Sequence, residues 1–253
     1  MITTKDSRKD SRPVLIVGIC RWGRIENNMK VLVACEESQA VCIAFRGRGH
    51  EAYSCDIQEC SGGHPEWHIH GDMLPLLNGR CKFVTMDGKS HEIIDRWDMI
   101  IAFVPCTKTS NAGARHLYKG GTLNIPRYYE GMCGKALFMS VWMADCDKIV
   151  IENPVPSKIF EYPKPSQVIQ PYMFGHEFTK KTLLWEKGVM PLVPTCVVVP
   201  NGTWCPSGSY SGKHNEKHRG MFTRDRAKNR SKTFPGVAKA MAEQWGNLKE
   251  EEQ

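Results

Sequence analysis

The runs MIIAFV, at 99–104, and IVI, at 149–151, are apolar at consecutive positions instead of at alternate ones. A strand of that kind is wetted on neither face, which in a water-soluble chain means a parallel sheet with helices packed on both sides. KVLVACEE (30–37) and EAYSCDI (51–57) read as two further strands. Between them AVCIAFRGRGH fits a helix that Gly47 and Gly49 end, and MCGKALFMSVWMADC (132–146) fits a buried crossover helix apolar nearly all round. SQVIQPYMFG and KKTLLWEKG supply the last strands, and FPGVAKAMAEQWGN a closing helix that Pro235 opens and Gly246 closes. The alternation predicts βαβ units and an α/β fold with a doubly wound, mostly parallel sheet. Residues 79–90 are expected to be irregular and 107–127 a mobile polar loop.

The 253 residues suffice for one main core. The expected division is a tail at 1–28, a core at 29–189, a small basic region at 190–232, and a C-terminal helix with an acidic tail at 233–253. No apolar run approaches the roughly 20 residues that cross a bilayer, so no membrane partner is expected. The apolar piece VLIVGIC is short and followed by Arg21, Trp22 and Arg24, unlike a secretory signal. Eleven cysteines scattered through apolar segments fit a reducing cytosol better than a disulfide framework. The formal charge is +7, and between Lys213 and Lys232 eight Lys or Arg face two acids. Such a stretch suits a polyanion such as nucleic acid, or is a solvated loop.

In doubly wound sheets ligands gather at the carboxyl ends of the strands. Those ends carry Glu36-Glu37, Asp56, Pro105-Cys106 and Glu152-Asn153-Pro154. Asp56 stands where an acid accepts ribose hydroxyls. Asp72 either reaches an adenine edge or caps the next helix. CEESQ offers no glycine turn for a pyrophosphate, so a cofactor that lacks phosphates and offers an ammonium to Glu36 or Glu37 fits better, and S-adenosylmethionine meets that description. Cys106 is either a small buried hydrophobe or a nucleophile, and Glu152-Asn153-Pro154 either a turn or a functional pair. His64, His68 and His70 with Cys55 and Cys60 match no compact zinc spacing, and no metal is expected.

These motifs, in this order, resemble the DNA cytosine-5 methyltransferases. VPC at 104–106 with the polar residues to Ser110 looks like the family's Pro-Cys loop, IENP at 151–154 like its Glu-Asn motif, HGD at 70–72 like its adenine loop, and FPGVAKAMAEQW like its closing helix. The likeness is strongest to compact phage and prophage members, which share CEESQ, GHPEWHI-GD and QPY-FGH, and it covers about 29–248. It departs in the first motif, where ACEESQ replaces glycines. It departs also in the arginine-rich strand, where Lys180 and Lys181 stand in, and in a target-recognition region shrunk to about 190–232.

The resemblance implies a Rossmann-like, S-adenosylmethionine-dependent methyltransferase acting on cytosine C5 in DNA, as a monomer or in an assembly the sequence does not specify. Cys106, with Pro105, would attack C6, and Glu152, with Asn153, would hold the base. Cys35, Glu36, Glu37, Asp56, Ile57, Asp72, Met73 and Val104 would line the cofactor site. Ser110, Arg115, Lys180, Lys181, Arg219, Arg224, Arg226, Lys228 and Arg230 would contact the nucleic acid. Two alternatives remain open: a degenerate methyltransferase fold that binds DNA or a protein without turnover, and the same cysteine chemistry with a modified donor or pyrimidine.

Overall fold

The computed structural model describes residues 28–204 and 231–246. Along the chain run β1 (Lys30–Ala34), α1 (Ala40–Arg46), β2 (Glu51–Asp56), β3 (His68–His70), β4 (Cys81–Val84), β5 (Ser90–Ile93) and β6 (Met99–Ala102). Then follow β7 (Tyr118–Lys119), β8 (Thr122–Leu123), α2 (Ile125–Trp142), β9 (Ile149–Asn153), β10 (Gln167–Ile169), β11 (Phe178–Thr179), β12 (Thr182–Lys187), β13 (Gly202–Thr203) and α3 (Pro235–Trp245).

Seven strands form the central sheet in the order β10-β12-β9-β6-β1-β2-β3. The pairs β3-β2, β2-β1, β1-β6 and β6-β9 are parallel, whereas β12 runs antiparallel to both β9 and β10. This is an α/β fold with a mostly parallel sheet, consistent with the Rossmann-like class. From β1 the chain winds outward to β2 and β3; it then returns to β6 on the other side and continues to β9. The crevice for ligands in such a sheet opens between the carboxyl ends of β1 and β6.

The continuous apolar runs are covered on both faces. Leu32, Ala34, Ile100, Ala102, Ile149 and Ile151 pack with Phe138 and Val141 of α2. Val31, Val33, Met99, Ile101 and Val150 pack with Phe45 of α1 and Met241 and Trp245 of α3. Each such side chain contributes about 1.5–3 kcal/mol on full burial.

Three expectations need correction. Residues 79–90 are not irregular: β4 and β5 form a hairpin in which Phe83 and Ile93 are buried. Its turn is fixed by Gly88 at φ 84° and by Asp87 Oδ1, which accepts from the Thr85 hydroxyl and the Lys89 amide. Segment 107–127 is built of a 3-10 turn (Asn111–His116), the β7-β8 hairpin and the start of α2. Helix α2 is not the fully buried 132–146. It starts earlier, capped by the Asn124 side chain with Pro126 in its first turn, and buries only Gly131, Phe138 and Val141. Its methionines are half-buried or exposed, because solvent covers the face turned away from the sheet.

Residues 190–204 are tied to the core: the Trp245 indole donates to the Met190 carbonyl, Leu192 is buried, and β13 pairs with β11. Arg219, Arg224, Arg226, Lys228 and Arg230, with the tail at 1–27, lie outside the described residues. No described helix is long and apolar enough to cross a membrane.

Helix α2 meets the fully buried Phe160 at Gly131, where a β-carbon would overlap the ring. Gly131→Ala is expected to lower stability by about 1–3 kcal/mol, overpacking outweighing the gain in helix propensity. The readout is a lower urea midpoint at an unchanged m-value.

Candidate active site

Strand β6 pairs with β9 so that Ala102 lies opposite Ile151, and the next residues along, Phe103 and Glu152, stand at neighbouring strand tips. The segments beyond are stitched together. Asn153 Nδ2 donates to the Val104 carbonyl (3.4 Å), the Ser157 amide to the Thr109 carbonyl (2.7 Å), and the Asn111 amide to the Val155 carbonyl (2.8 Å). The Cys106 carbonyl accepts from the Ser110 amide (2.8 Å), folding VPCTKTS into a tight turn. Pro105 is exposed and Cys106 half-buried.

Glu152 enters a cavity of about 20 Å³ lined by Phe103, Lys180, Thr182, Phe234, Val237 and Met241, among others. Burial pushes its carboxyl pKa up, against the opposing pull of the Lys180 ammonium and a hydrogen bond from Thr182. The cavity has room for about one water and none for a ring the size of a pyrimidine.

Cys106 is placed differently. Its neighbours are Thr109 and Tyr162, and Tyr162 packs on Phe138 and Trp185 on the α2 side of the sheet. The Tyr162 hydroxyl is buried without a satisfactory hydrogen bond; burial raises its pKa, a bond from Thr109 opposes this, and the nearby Cys106 thiol adds to the rise. Of the two side chains expected to meet one ring, Glu152 lines the cavity of about 20 Å³ and Cys106 does not.

At the ends of β1 to β3, Cys35, Asp56, Asp72 and Met73 come together. The Cys35 thiol lies 3.5 Å from the Met73 sulfur, and burial, with Asp56 and Asp72 adding, pushes its pKa up to about 12. Asp56 Oδ1 accepts from the Gln58 amide and Asp72 Oδ1 from the Leu74 amide, while Ile57 is 76% exposed beside them. Val104 is buried in the core.

The adjacent acids of CEESQ divide. Glu36, 3% exposed, accepts from the Val41 and Cys42 amides (2.7 and 3.1 Å), so it caps α1 and is not turned to a ligand's ammonium. Glu37, 8% exposed, has both carboxylate oxygens buried without a hydrogen-bond partner. The turn between them and the helix needs Cys35 and Gln39 at positive φ, 57° and 59°.

The chain matches no protein-family model and no curated protein.

The expected nucleic-acid contacts also separate. Ser110 is buried and bridges to Pro156; Lys180 is turned to Glu152; Lys181 and Arg115 are exposed. The histidines of the glycine-rich loop diverge. His68 is held by Ser54 and the Gln58 carbonyl, His64 stacks on Trp67, and His70 bonds the Ile57 carbonyl. Among the described residues no three His, Cys, Asp or Glu side chains are grouped to hold a metal. Phe103, Tyr162, Thr182 and Phe234 escaped the sequence reading. Phe103 could have been found by extending the β6 alternation one step to the face of Met99 and Ile101; Tyr162 carried no signal.

Burial lifts the Glu36 pKa from an ordinary 4.5 to about 8, with Glu37 nearby adding, against the two amides that lower it. The folded state holds this proton where the unfolded chain has released it, so the group's contribution to stability falls as pH rises from about 4.5 to about 8. Glu36→Gln is expected to flatten the decline in thermal midpoint between pH 5 and pH 8. An identical slope in both proteins would remove Glu36 from that role.

Proposed function

We propose that the protein is an S-adenosylmethionine-dependent DNA methyltransferase acting on C5 of cytosine. The observation that carries the reading is Glu152: a carboxyl whose pKa burial raises, in an apolar cavity beside a lysine and a threonine, one strand away from the turn of exposed Pro105 and half-buried Cys106. The parallel strands β1, β2, β6 and β9 end on the same edge of the sheet, the edge at which doubly wound sheets bind ligands.

The residues at β1 to β3 fit the cofactor. Asp56 stands at the end of β2 for ribose hydroxyls, Ile57 offers an exposed apolar face for a purine, and the orphaned Glu37 carboxylate is short of a cation. No glycine turn stands after β1 for a pyrophosphate, whereas a sulfonium nucleoside has none to place. When bound, S-adenosylmethionine supplies an electrophilic methyl group.

The chain's own part is base activation. The Cys106 thiolate forms a bond to C6 of the cytosine, and the electron pair of the C5–C6 double bond moves toward N3, where the Glu152 carboxyl delivers its proton. C5 becomes nucleophilic and would take the methyl group as its bond to the sulfonium sulfur breaks and the thioether leaves; C5 then loses its hydrogen as a proton to a base, N3 returns its proton to the Glu152 carboxylate, and the thiolate leaves as the C5–C6 double bond re-forms. The Tyr162 hydroxyl is an O–H donor in reach of the sulfur's surroundings, and Lys180 limits how far the Glu152 pKa climbs. Because the target base lies hidden in a duplex, the nucleotide must be flipped, at a cost of a few kcal/mol. Two movements are required: the cavity beside Phe234 opens, and the 105–110 turn brings Cys106 to the base held there.

That Cys106 is not among the residues lining the Glu152 cavity favours a second reading, a fold that binds DNA without turnover. One experiment separates the two: mass spectrometry of nucleosides from DNA of cells expressing the protein. The first reading expects 5-methylcytosine with the wild type, none above background with Cys106→Ser, and a fall of about 10²–10⁴-fold in rate with Glu152→Gln. Unmodified cytosine with folded, DNA-binding wild type would establish the second.

A further inference from the structure

Directly beyond the Cys106 turn, segment 107–127 and the start of α2 enclose a groove of about 430 Å³ lined by Lys108, Arg115, His116, Lys119, Asn124 and Arg127, with Tyr118 and Glu130 at its edges. Its charge is only partly spent internally. Lys108 pairs with Glu130, but Arg115 and Lys119 are exposed, and the first turn of α2 contains no acid. The eighteen residues of α2 aim the positive end of a helix dipole at the same place. Arg127 is fixed there: its Nη2 donates to the Thr107 carbonyl (3.1 Å), while its Nε is buried without a partner. Tyr118, half exposed, adds a ring on the rim.

Cationic side chains, a helix N-terminus and an orphaned guanidinium N–H all ask for an anion. The mix of charge with an exposed ring is what a nucleic-acid strand satisfies, through phosphates and a stacked base. We propose that this groove is a phosphodiester-binding site that holds the DNA strand next to the nucleotide presented to Cys106. Lys108 lies two residues from Cys106, so a phosphate in the groove is tied to the turn that must swing. Arg127 is a positioning residue that joins the Thr107 end of the turn to the groove floor. The assignment to DNA rests on the function proposed above; the anion site itself rests on the groove.

The test is fluorescence anisotropy of a labelled duplex over a salt titration. It compares wild type, Arg115→Ala/Lys119→Ala, and a charge-matched control, Lys82→Ala/Lys239→Ala, whose exposed lysines pair with Glu92 and Glu243 elsewhere. Each phosphate that loses its cation is expected to reduce the slope of log K against log salt by about 0.9, so the groove variant should fall by about two units and the control by none. An unchanged slope and affinity in the groove variant, with wild type binding, overturns the site alone. Failure of the wild type to bind duplex at low salt overturns the site and the proposed function together. Displacement of the duplex by deoxycytidine monophosphate at equal phosphate concentration would make the groove a small-anion site and also overturn it.

Discussion

The parallel pairing of β6 with β9 is the contact on which the rest of the molecule depends. Ala102 opposite Ile151 sets the buried strand β6 and the nearly buried strand β9 in register, and the same register brings Phe103-Val104-Pro105-Cys106 and Glu152-Asn153-Pro154 to one rim. A slip of one residue would turn Glu152 into the α2 face and expose Asn153, which now donates to Val104. Core packing and site geometry are therefore one constraint. The apolar runs that make the sheet cohesive also decide which way the carboxyl faces.

Much of the architecture was legible because the strands are apolar at successive positions and the helices have clear ends. Pro235 and Gly246 bound α3 as expected, and Gly47 follows α1. The hairpin at β4-β5 was not legible, because CKFV and SHEI are only four residues each and mix polar with apolar positions, and their pairing is held by Phe83 against Trp97 and Tyr53, a distant cluster. Helix α2 misled through composition: a sequence rich in Met, Phe and Val implies burial all round, yet only one stripe meets the sheet.

The strand-tip residues were legible as a group but not in their directions. Period-two alternation shows Glu152 on the face of Val150, toward α3. After a strand ends, however, the alternation carries no information, and the turn closed by Ser110 onto the Cys106 carbonyl leaves Cys106 outside the lining of the Glu152 cavity. Glu36 and Glu37 show the same limit. Adjacent identical residues can only be told apart once the start of α1 is fixed, because the helix amides claim the first and leave the second.

Strand β12 runs against its neighbours, so it brings its beginning, and not its end, to the rim where the other tips gather. Lys180 and Thr182 reach Glu152 from a strand that is only then entering the sheet. The length of chain before that entry can change without shifting any residue paired with β9. Of the groups around the carboxyl, this cation is therefore the easiest to exchange in redesign: arginine, methionine or a neutral amide at position 180 would retune the acid while leaving the pairing of β12 untouched.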